Sequence, residues 1–501
     1  MALLAICVSV ATTPSWALLG LGDVKFDGSL EVSGNSANNE LDFGNDPDNP
    51  SITGTGTSKD HRGRTATRVR IGMNALVTEG VTSRIEAVRE AKQYGQTTGN
   101  TTSNGASTVQ GEQNLWSFQN AYVDIADIMG LNVRLGRQYV GNPGDLVWNI
   151  SPTDDDNLTL NSIDGALFQS RKWDFVNVDL FTGKANEDDA IANTDQDDTT
   201  GDVNLTSLDV VLPKLIPGGK LNVGYLMGRD SNSSAESDNN SLNTARVGVN
   251  GGVAENMITY RAEFFQNMGE FKGAGLTNAD TAASAAAKLK YEGSAIDLGV
   301  GINSPETSVG TFGGWINYLM ASGDDNVRDD KDESFHDFSP LGFNTSDRLL
   351  GEIFGKSNVL GGGTTLGTPI GQGINTADAT AVAPSAATQG QGLKVLNIGV
   401  HFKPVFCKKS TFRADYYTFS RAEDSVLTNA ATGARTNVGD KFGSEIDLAY
   451  IYDHTSNVNL ELGWAWLSPD DALIGVNNQN NDDNVTKLYA RTKINWGGEA
   501  E

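Results

Sequence analysis

The sequence has few of the residues on which catalytic, metal-binding or disulfide-stabilised proteins depend. Only two of its 501 residues are cysteines, Cys7 and Cys407, and Cys7 lies in an apolar N-terminal segment that we expect to be removed. The four histidines lack metal-ligand spacing; they are His61, His336, His401 and His454. No serine elbow, phosphate loop or dinucleotide fingerprint occurs. We therefore predict that the protein is not an enzyme and has no resident cofactor.

Basic charge and long apolar runs are also scarce. Lys and Arg total 37 against 63 Asp and Glu, which gives a net charge of −26 and argues against a nucleic-acid partner. Hydrophobic residues make up 38% of the chain, and no apolar run beyond the first residues is long enough for a spanning helix, which excludes a helical membrane protein. The 13 prolines are few beside 57 glycines. This scarcity suits a strand-rich chain, because proline cannot donate to a β-ladder.

The acidic residues are concentrated in loop-like segments, at residues 40–48, 154–156, 187–198, 324–333 and 482–483. Solvated loops that carry charge for solubility are the simpler interpretation. Ca²⁺ binding is the alternative, because clustered Asp and Asn side chains offer the oxygen ligands that this ion prefers. None of these segments has the spacing of a calcium-binding loop.

What the sequence does contain is alternation of apolar and polar residues, most clearly in three runs between Phe442 and Trp496. In the first run Ile446 and Leu448 alternate with Glu445 and Asp447. A period of two indicates strands, because successive side chains leave a strand on opposite faces. Strands of a soluble sandwich are usually shorter, whereas these runs are long enough for tilted strands to cross a bilayer. The pattern predicts an all-β fold, a single transmembrane antiparallel up-and-down β-barrel in the cell outer membrane.

The number of strands follows from the alternation of short periplasmic turns with long extracellular loops. The pattern gives about nineteen candidate strands, which would leave two successive strands running in the same direction. Either one candidate within residues 282–321 is false, or a strand is hidden within residues 322–392. We favour the first solution, about 18 strands, within a range of about 16–20. The best hidden candidate, residues 346–354, has an equally good helical spacing.

The chain divides into a leader and one domain. An apolar core at residues 2–11, followed by small residues at Ser15 and Ala17, predicts a signal peptide over residues 1–17. Residues 18–501 form the predicted barrel with long extracellular loops. The largest loop covers residues 322–391, and its Gly-, Ala- and Thr-rich part at 361–391 is either a mobile loop or a plug inside the lumen.

The alternation also predicts which charges face the lumen. Arg68 and Arg70 share a face with Gly72, while Val69 and Ile71 lie on the opposite face. A lipid-facing Arg or Lys costs about 2–4 kcal/mol at the bilayer midplane, so the charged face should point inward. The same argument assigns the following residues to the pore lining: Arg84, Glu86, Arg134, Arg246, Arg261, Glu263, Arg413, Asp415, Glu445, Asp447, Glu461, Arg491 and Lys493; it also turns Lys288, Lys290 and Lys487 inward. These charges either pair across a wide barrel wall or form a basic constriction that attracts anionic solutes.

Four short segments resemble outer-membrane barrels of the alginate export family: Gly-Ser-Glu-Ile-Asp-Leu at 443–448, Leu-Gly-Trp-Ala-Trp-Leu at 462–467, Leu-Gly-Arg-Gln at 135–138 and Ala-Ser-Gly-Asp-Asp at 321–325. The resemblance implies a monomeric, porin-like barrel with an arginine-lined pore for an acidic polysaccharide. It places Arg68, Arg70, Arg134 and Arg137 near the solute path. Strict alternation turns Arg137 outward, and a bulge at Gly136 would turn it inward.

Three functions are compatible with these features. We predict an outer-membrane channel, surrounded by lipid, that passes anionic solutes or acidic oligo- and polysaccharides. The alternatives are a structural or adhesive barrel that displays acidic loops, and a barrel that sheathes a partner protein.

Overall fold

The computed structural model describes fifteen parts of the chain: residues 23–39, 61–93, 116–152, 158, 161–186, 203–230, 240–272, 288–324, 331–338, 350–356, 392–423, 426–428, 435–437, 439–471 and 483–497. The predicted signal peptide and the predicted mobile loop or plug at 361–391 lie outside these residues, as do most of the acidic segments. Within the described parts, no helix has the length and the apolar composition needed to cross a membrane.

The fold is a closed antiparallel β-barrel of 18 strands, as the sequence predicts. The strands are β1 (Val24–Asn38), β2 (His61–Thr78), β3 (Val81–Gln93), β4 (Trp116–Ile128), β5 (Leu131–Gln138), β6 (Ile163–Trp173), β7 (Val176–Asn186), β8 (Val203–Ile216), β9 (Gly219–Asp230), β10 (Asn240–Val253), β11 (Ile258–Lys272), β12 (Ser294–Asn303), β13 (Gly310–Ala321), β14 (Leu393–Pro404), β15 (Ser410–Ser420), β16 (Lys441–Thr455), β17 (Val458–Pro469) and β18 (Val485–Trp496).

The barrel closes by pairing its last strand with its first. β18 lies antiparallel to β1, in a register that places Gly28 opposite Trp496 and Asn38 opposite Thr486. Every other strand pairs with its neighbours in sequence. Closure is required in a bilayer, because hydrocarbon offers no hydrogen-bond partner to an open sheet edge.

The outer face carries a belt of exposed apolar side chains. Ile316, Leu462 and Leu488 expose 55%, 56% and 60% of their surfaces, although each belongs to a long paired strand. A closed barrel whose outward-facing residues form such an apolar belt is the architecture of an outer-membrane protein. The outer membrane is therefore the location of this chain.

Two features resolve the strand count. Residues Lys288–Tyr291 form a four-residue piece that pairs with the end of β11, with Lys290 opposite Glu270. β12 begins three residues later and pairs with the same β11 strand in the same register, so this piece extends β12. The false candidate within residues 282–321 is therefore the one that ends at Tyr291, as far as the structure describes it. The hidden strand proposed at 346–354 is wrong in its described part, because Gly351–Gly355 forms one turn of π-helix.

We predict that enlarging Gly28 weakens barrel closure. A Cβ atom at Gly28 would lie 2.6 Å from the indole Cζ2 of Trp496 on β18. Gly28→Val should therefore destabilise the folded barrel by about 1–3 kcal/mol. The midpoint of urea unfolding in detergent micelles measures this loss.

Gly63→Val is the matched control, because the nearest atom to a Cβ at Gly63 is the carbonyl oxygen of Asn35, at 3.9 Å. Equal midpoint shifts in the two variants would contradict the role assigned to Gly28.

Candidate functional site: the charged lumen

The inner face of the barrel carries a set of ion pairs that join neighbouring strands. The structure places all of the predicted pore-lining residues on this face except Arg137, namely Arg68, Arg70, Arg84, Glu86, Arg134, Arg246, Arg261, Glu263, Arg413, Asp415, Glu445, Asp447, Glu461, Arg491 and Lys493. Lys487 also faces inward and is buried.

Two inward assignments are wrong. Arg137 shares the outer face with Leu135, which is 45% exposed, and it pairs there with Asp164. Gly136 does adopt a φ of +122°, but the chain does not turn Arg137 inward. Lys290 also faces outward, because its neighbours Leu289 and Tyr291 are the residues buried inside the barrel.

On β1 and β2, one carboxylate holds two arginines. The Nε of Arg68 donates a 2.9 Å hydrogen bond to Oε2 of Glu31, and Arg70 pairs with the other oxygen of the same carboxylate. The Nζ of Lys493 on β18 lies 3.8 Å from Glu31. The pairing therefore spans the seam where the barrel closes.

Arg84 on β3 bridges two further carboxylates. Its Nη1 lies 2.7 Å from Oδ2 of Asp27, and its Nη2 lies 2.6 Å from Oε2 of Glu86. The hydroxyl of Tyr139, just beyond β5, donates a 2.7 Å hydrogen bond to Glu86. Together these contacts connect β1, β3 and the loop that follows β5.

The far wall repeats this arrangement. Arg246 on β10 lies between two carboxylates, with its Nη1 2.6 Å from Oδ2 of Asp145 and its Nη2 paired with Asp209. Arg261 on β11 donates a 2.9 Å hydrogen bond to Asp297 on β12. Since Asp145 belongs to the loop between β5 and β6, Arg246 ties that loop to the inner wall.

Three loop segments fold into the barrel, and we call them inner segments 1 (residues 139–150), 2 (331–338) and 3 (350–356). Segments 1 and 2 meet where Trp148 packs edge-on against Phe338, with ring centroids 6.3 Å apart. Trp148 also contacts Phe181 of the wall, and Phe335 contacts Phe265. These buried aromatic side chains fill part of the interior and narrow the lumen.

Inner segment 3 is held by the carboxylates of β16. The backbone N–H groups of Ile353 and Phe354 donate hydrogen bonds of 2.7 and 2.9 Å to Glu445, and that of Glu352 donates one of 3.1 Å to Asp447. The two predicted pore-lining carboxylates therefore hold a π-helical turn against the wall. The ring of Phe354 stacks on Phe419, which adds apolar contact to the polar anchor.

The Glu352 side chain provides the second anchor of this segment. Arg491 donates hydrogen bonds of 2.9 and 2.6 Å to its two oxygens, and Lys356 donates one of 2.8 Å. Lys487 donates a 2.6 Å hydrogen bond to the Glu352 carbonyl oxygen. Burial would raise the pKa of the Glu352 carboxyl group, but Arg491, Lys356 and Lys487 together hold that pKa well below its usual range.

Inner segment 2 contains a buried histidine. The Nε2 of His336 lies 2.9 Å from Oδ2 of Asp332, and the backbone N–H of His336 donates a 2.7 Å hydrogen bond to Asn267 on β11. Burial alone would lower the pKa of His336, but Asp332, with smaller contributions from Asp337 and Asp324, raises it above its ordinary value. The imidazole is therefore charged over a wider pH range than a solvated histidine.

A cavity lies at the periplasmic end of one part of the barrel wall. This cavity of about 860 Å³ lies between β8 and β13, and its polar lining includes Lys220, Asn250, Arg261 and Asn317. Several glycines line the same cavity, which leaves room for a solute to reach the polar groups. We call this cavity the vestibule; Arg261, which pairs with Asp297, belongs to its lining.

The part of the chain that the structure describes contains no candidate metal site. There, no group of three or more His, Cys, Asp or Glu side chains is arranged to hold a metal ion. The Ca²⁺ alternative rests mainly on acidic segments outside the described residues, so it stays a prediction.

Solved outer-membrane barrels share this fold. OccAB2 of Acinetobacter baumannii matches with a TM-score of 0.53 and 11% identity, over 95% of this chain and 98% of that one. OccK8 (OprE) of Pseudomonas aeruginosa gives a TM-score of 0.51 at 11% identity over the same shares, and OccD3 (OpdP) gives 0.50 at 11% over 95% and 92%. No family model and no curated protein matches the sequence. These likenesses support a porin-like barrel and give no support to the alginate export family.

We predict that Glu352→Gln loosens inner segment 3. The variant removes the charge that faces Arg491 and the buried Lys487, and uncompensated buried cations typically cost about 3–5 kcal/mol. Segment 3 should then leave the wall for part of the time. Single-channel recording in planar bilayers should show a higher and noisier conductance than that of the wild type.

Glu306→Gln is the control for this variant, because Glu306 pairs with Lys408 at the periplasmic turns, where both side chains are well exposed. An unchanged conductance in Glu352→Gln would show that segment 3 does not restrict the lumen.

We also predict that inner segment 2 is held more firmly at low pH. Because the folded pKa of His336 is raised, its stabilising contribution is complete below the unfolded value of about 6.5 and is lost as the pH rises through the folded pKa. Hydrogen exchange of residues 331–338, corrected for the intrinsic rate, should accelerate over that range.

His336→Gln should remove this pH dependence, while His454→Gln, at a periplasmic turn, should retain it. A wild-type exchange rate independent of pH after correction would refute the effect.

Proposed function

We propose that the barrel is an outer-membrane channel for small polar solutes and that its lumen prefers anions. The observation that carries this proposal is the unequal depth of the two partners in several luminal ion pairs. In each of them the carboxylate is recessed and the cation is exposed: Arg413 at 34% with Asp415 at 4%, Arg261 at 29% with Asp297 at 3%, and Lys493 at 45% with Glu31 at 5%.

This geometry determines the sign of charge that a solute meets. A recessed carboxylate makes the net charge of the pair zero, yet a solute in the lumen approaches the guanidinium or ammonium group first. The free N–H donors of a held guanidinium can then bind carboxylate or phosphate oxygens. The carboxylates thus orient the cations without masking them.

We expect the anion preference to come from one part of the barrel wall, because the ion pairs of Arg134 and Arg246 elsewhere do not show this difference in depth. Arg134 on β5 and Asp124 on β4 are exposed to similar extents, 30% and 37%, so this pair presents both signs. Arg246, between Asp145 and Asp209, is nearly as buried as its partners. We therefore expect a moderate anion preference that arises along β11–β18 and β1.

Small organic anions and short acidic saccharides are the solutes that fit this lumen. The vestibule of about 860 Å³ offers Lys220 and Arg261 to acidic groups and Asn250 and Asn317 to hydroxyl groups. Inner segments 1 to 3 limit the free cross-section, which favours short chains over polymers. A structural or adhesive barrel would require no such exposed cations.

Planar-bilayer recording in a KCl gradient tests the proposal. The wild type should conduct steadily, and its reversal potential should be shifted from zero toward the equilibrium potential of chloride. The double variant Arg261→Gln and Arg413→Gln should lower the chloride-to-potassium permeability ratio by about twofold or more, because two exposed cations are lost beside recessed carboxylates.

Lys214→Gln is the matched control, since Lys214 pairs loosely with Asp174 near a periplasmic turn and both are exposed. A silent barrel, a cation-selective wild type or an equal shift in the control would each overturn the proposed function.

A further inference from the structure

Cations stand on the outer face near the extracellular ends of four successive upward-running strands. They are Arg89 on β3, Arg137 on β5, Lys184 on β7 and Arg229 on β9. Each lies within the last few residues of a strand that starts at a short turn. The luminal function described above uses none of these cations.

Alternation establishes that these four side chains point away from the lumen. Each is separated by an even number of residues from an exposed apolar side chain on its own strand, namely Ile85 at 42%, Leu135 at 45%, Leu180 at 39% and Tyr225 at 43%. Those apolar residues belong to the lipid-facing belt. The cations therefore lie at the upper border of this belt.

Three of the cations belong to one continuous row across the sheet. Arg137 is opposite Asp164, which is opposite Lys184. Lys184 is in turn opposite Asn204, and Asn204 is opposite Arg229. Strands are spaced at about 4.8 Å, so successive cations of this row are rooted about 10 Å apart.

The height of Arg137 brings it to the membrane. β5 has 8 residues, which at a tilt of about 40° rise only about 20 Å, less than the apolar band of about 25 Å. Arg137 is the second-to-last residue of β5, so its Cα lies within the outer half of the bilayer. Its side chain can reach the headgroup layer by extending upward along the wall.

The charge of this row opposes that of the chain as a whole. Among the five paired positions of this row, three are cations and one, Asp164, is an acid, in a sequence whose net charge is −26. The Nε of Arg137 lies 3.1 Å from both oxygens of Asp164, yet Arg137 remains 44% exposed. A row with more cations than acids at the outer leaflet is complementary to anionic headgroups.

We propose that Arg137, Lys184 and Arg229 form a docking surface for a phosphate-bearing glycolipid of the outer leaflet. The phosphates contact the cation row, and the acyl chains lie along the apolar belt below it, against Leu180 and Tyr225. A second copy of the barrel is a poorer occupant, because an excess of cations on each copy would face the same excess on the other. The proposal depends on the membrane location and not on the anion preference of the lumen.

The test measures binding of a bisphosphorylated lipid A to the purified full-length barrel in phosphatidylcholine nanodiscs, by native mass spectrometry. The wild type should retain lipid A, and Arg137→Gln, Lys184→Gln and Arg229→Gln combined should weaken retention about tenfold or more. Dephosphorylated lipid A should bind the wild type as weakly as the intact lipid binds the triple variant.

The control removes the same number of charges from the opposite side of the membrane. Lys172→Gln, Lys214→Gln and Lys408→Gln combined change exposed lysines near periplasmic turns and should leave retention unchanged. Unaltered channel conductance in both triple variants would verify that the barrel is folded.

Three results would overturn the proposal. Retention by the outer-face triple variant within about twofold of the wild type would exclude these cations. Equal binding of the dephosphorylated lipid would exclude phosphate recognition. A wild-type dimer that the same variant converts to monomers would identify the surface as an interface between copies of this chain.

Discussion

The rest of the structure depends on the need to satisfy every backbone N–H and C=O group inside a hydrocarbon layer. A sheet meets this need only by closing, and here β18 closes on β1 across eleven paired positions, from Gly28 with Trp496 to Asn38 with Thr486. Closure divides the side chains between lipid and lumen. Charged residues are thereby concentrated on the inner face, where their partners are other residues of the same wall.

Inside the barrel, the same need for hydrogen-bond partners explains how the inner segments are held. Glu445 and Asp447 are almost fully buried and accept hydrogen bonds from the backbone of segment 3. In the opposite direction, the carboxylate of Glu352 in segment 3 accepts hydrogen bonds from Arg491 of the wall. Wall and segment therefore satisfy each other's polar groups, and the narrowing of the lumen follows from hydrogen bonding as much as from apolar packing.

Alternation within one strand is a local property, so the strands, their number and the inward set around Arg68 could be predicted from the sequence. Contacts between distant residues could not: nothing in the pattern joins Glu352 to Arg491, or Asp145 to Arg246. Lys290 was misassigned because a charged side chain was expected to avoid the lipid face, which would have turned its neighbours Leu289 and Tyr291 outward. Both instead pack inside the barrel, where Tyr291 contacts His336 edge-on. For Arg137, alternation alone was right and the family resemblance was misleading.

Net charge is a poor guide to what a solute or a lipid meets on this molecule. The chain carries an excess of acid, yet Asp415 and Asp297 are recessed behind the arginines they hold. The proposed anion preference rests on this difference in depth, because the more exposed partner of each pair is the one that a solute in the lumen would meet first. On the outer wall, β3, β5, β7 and β9 each place an outward cation near the extracellular end of the strand. The local charge of the lumen and that of the outer wall both depend on where the fold places each charged residue, and neither can be read from the composition.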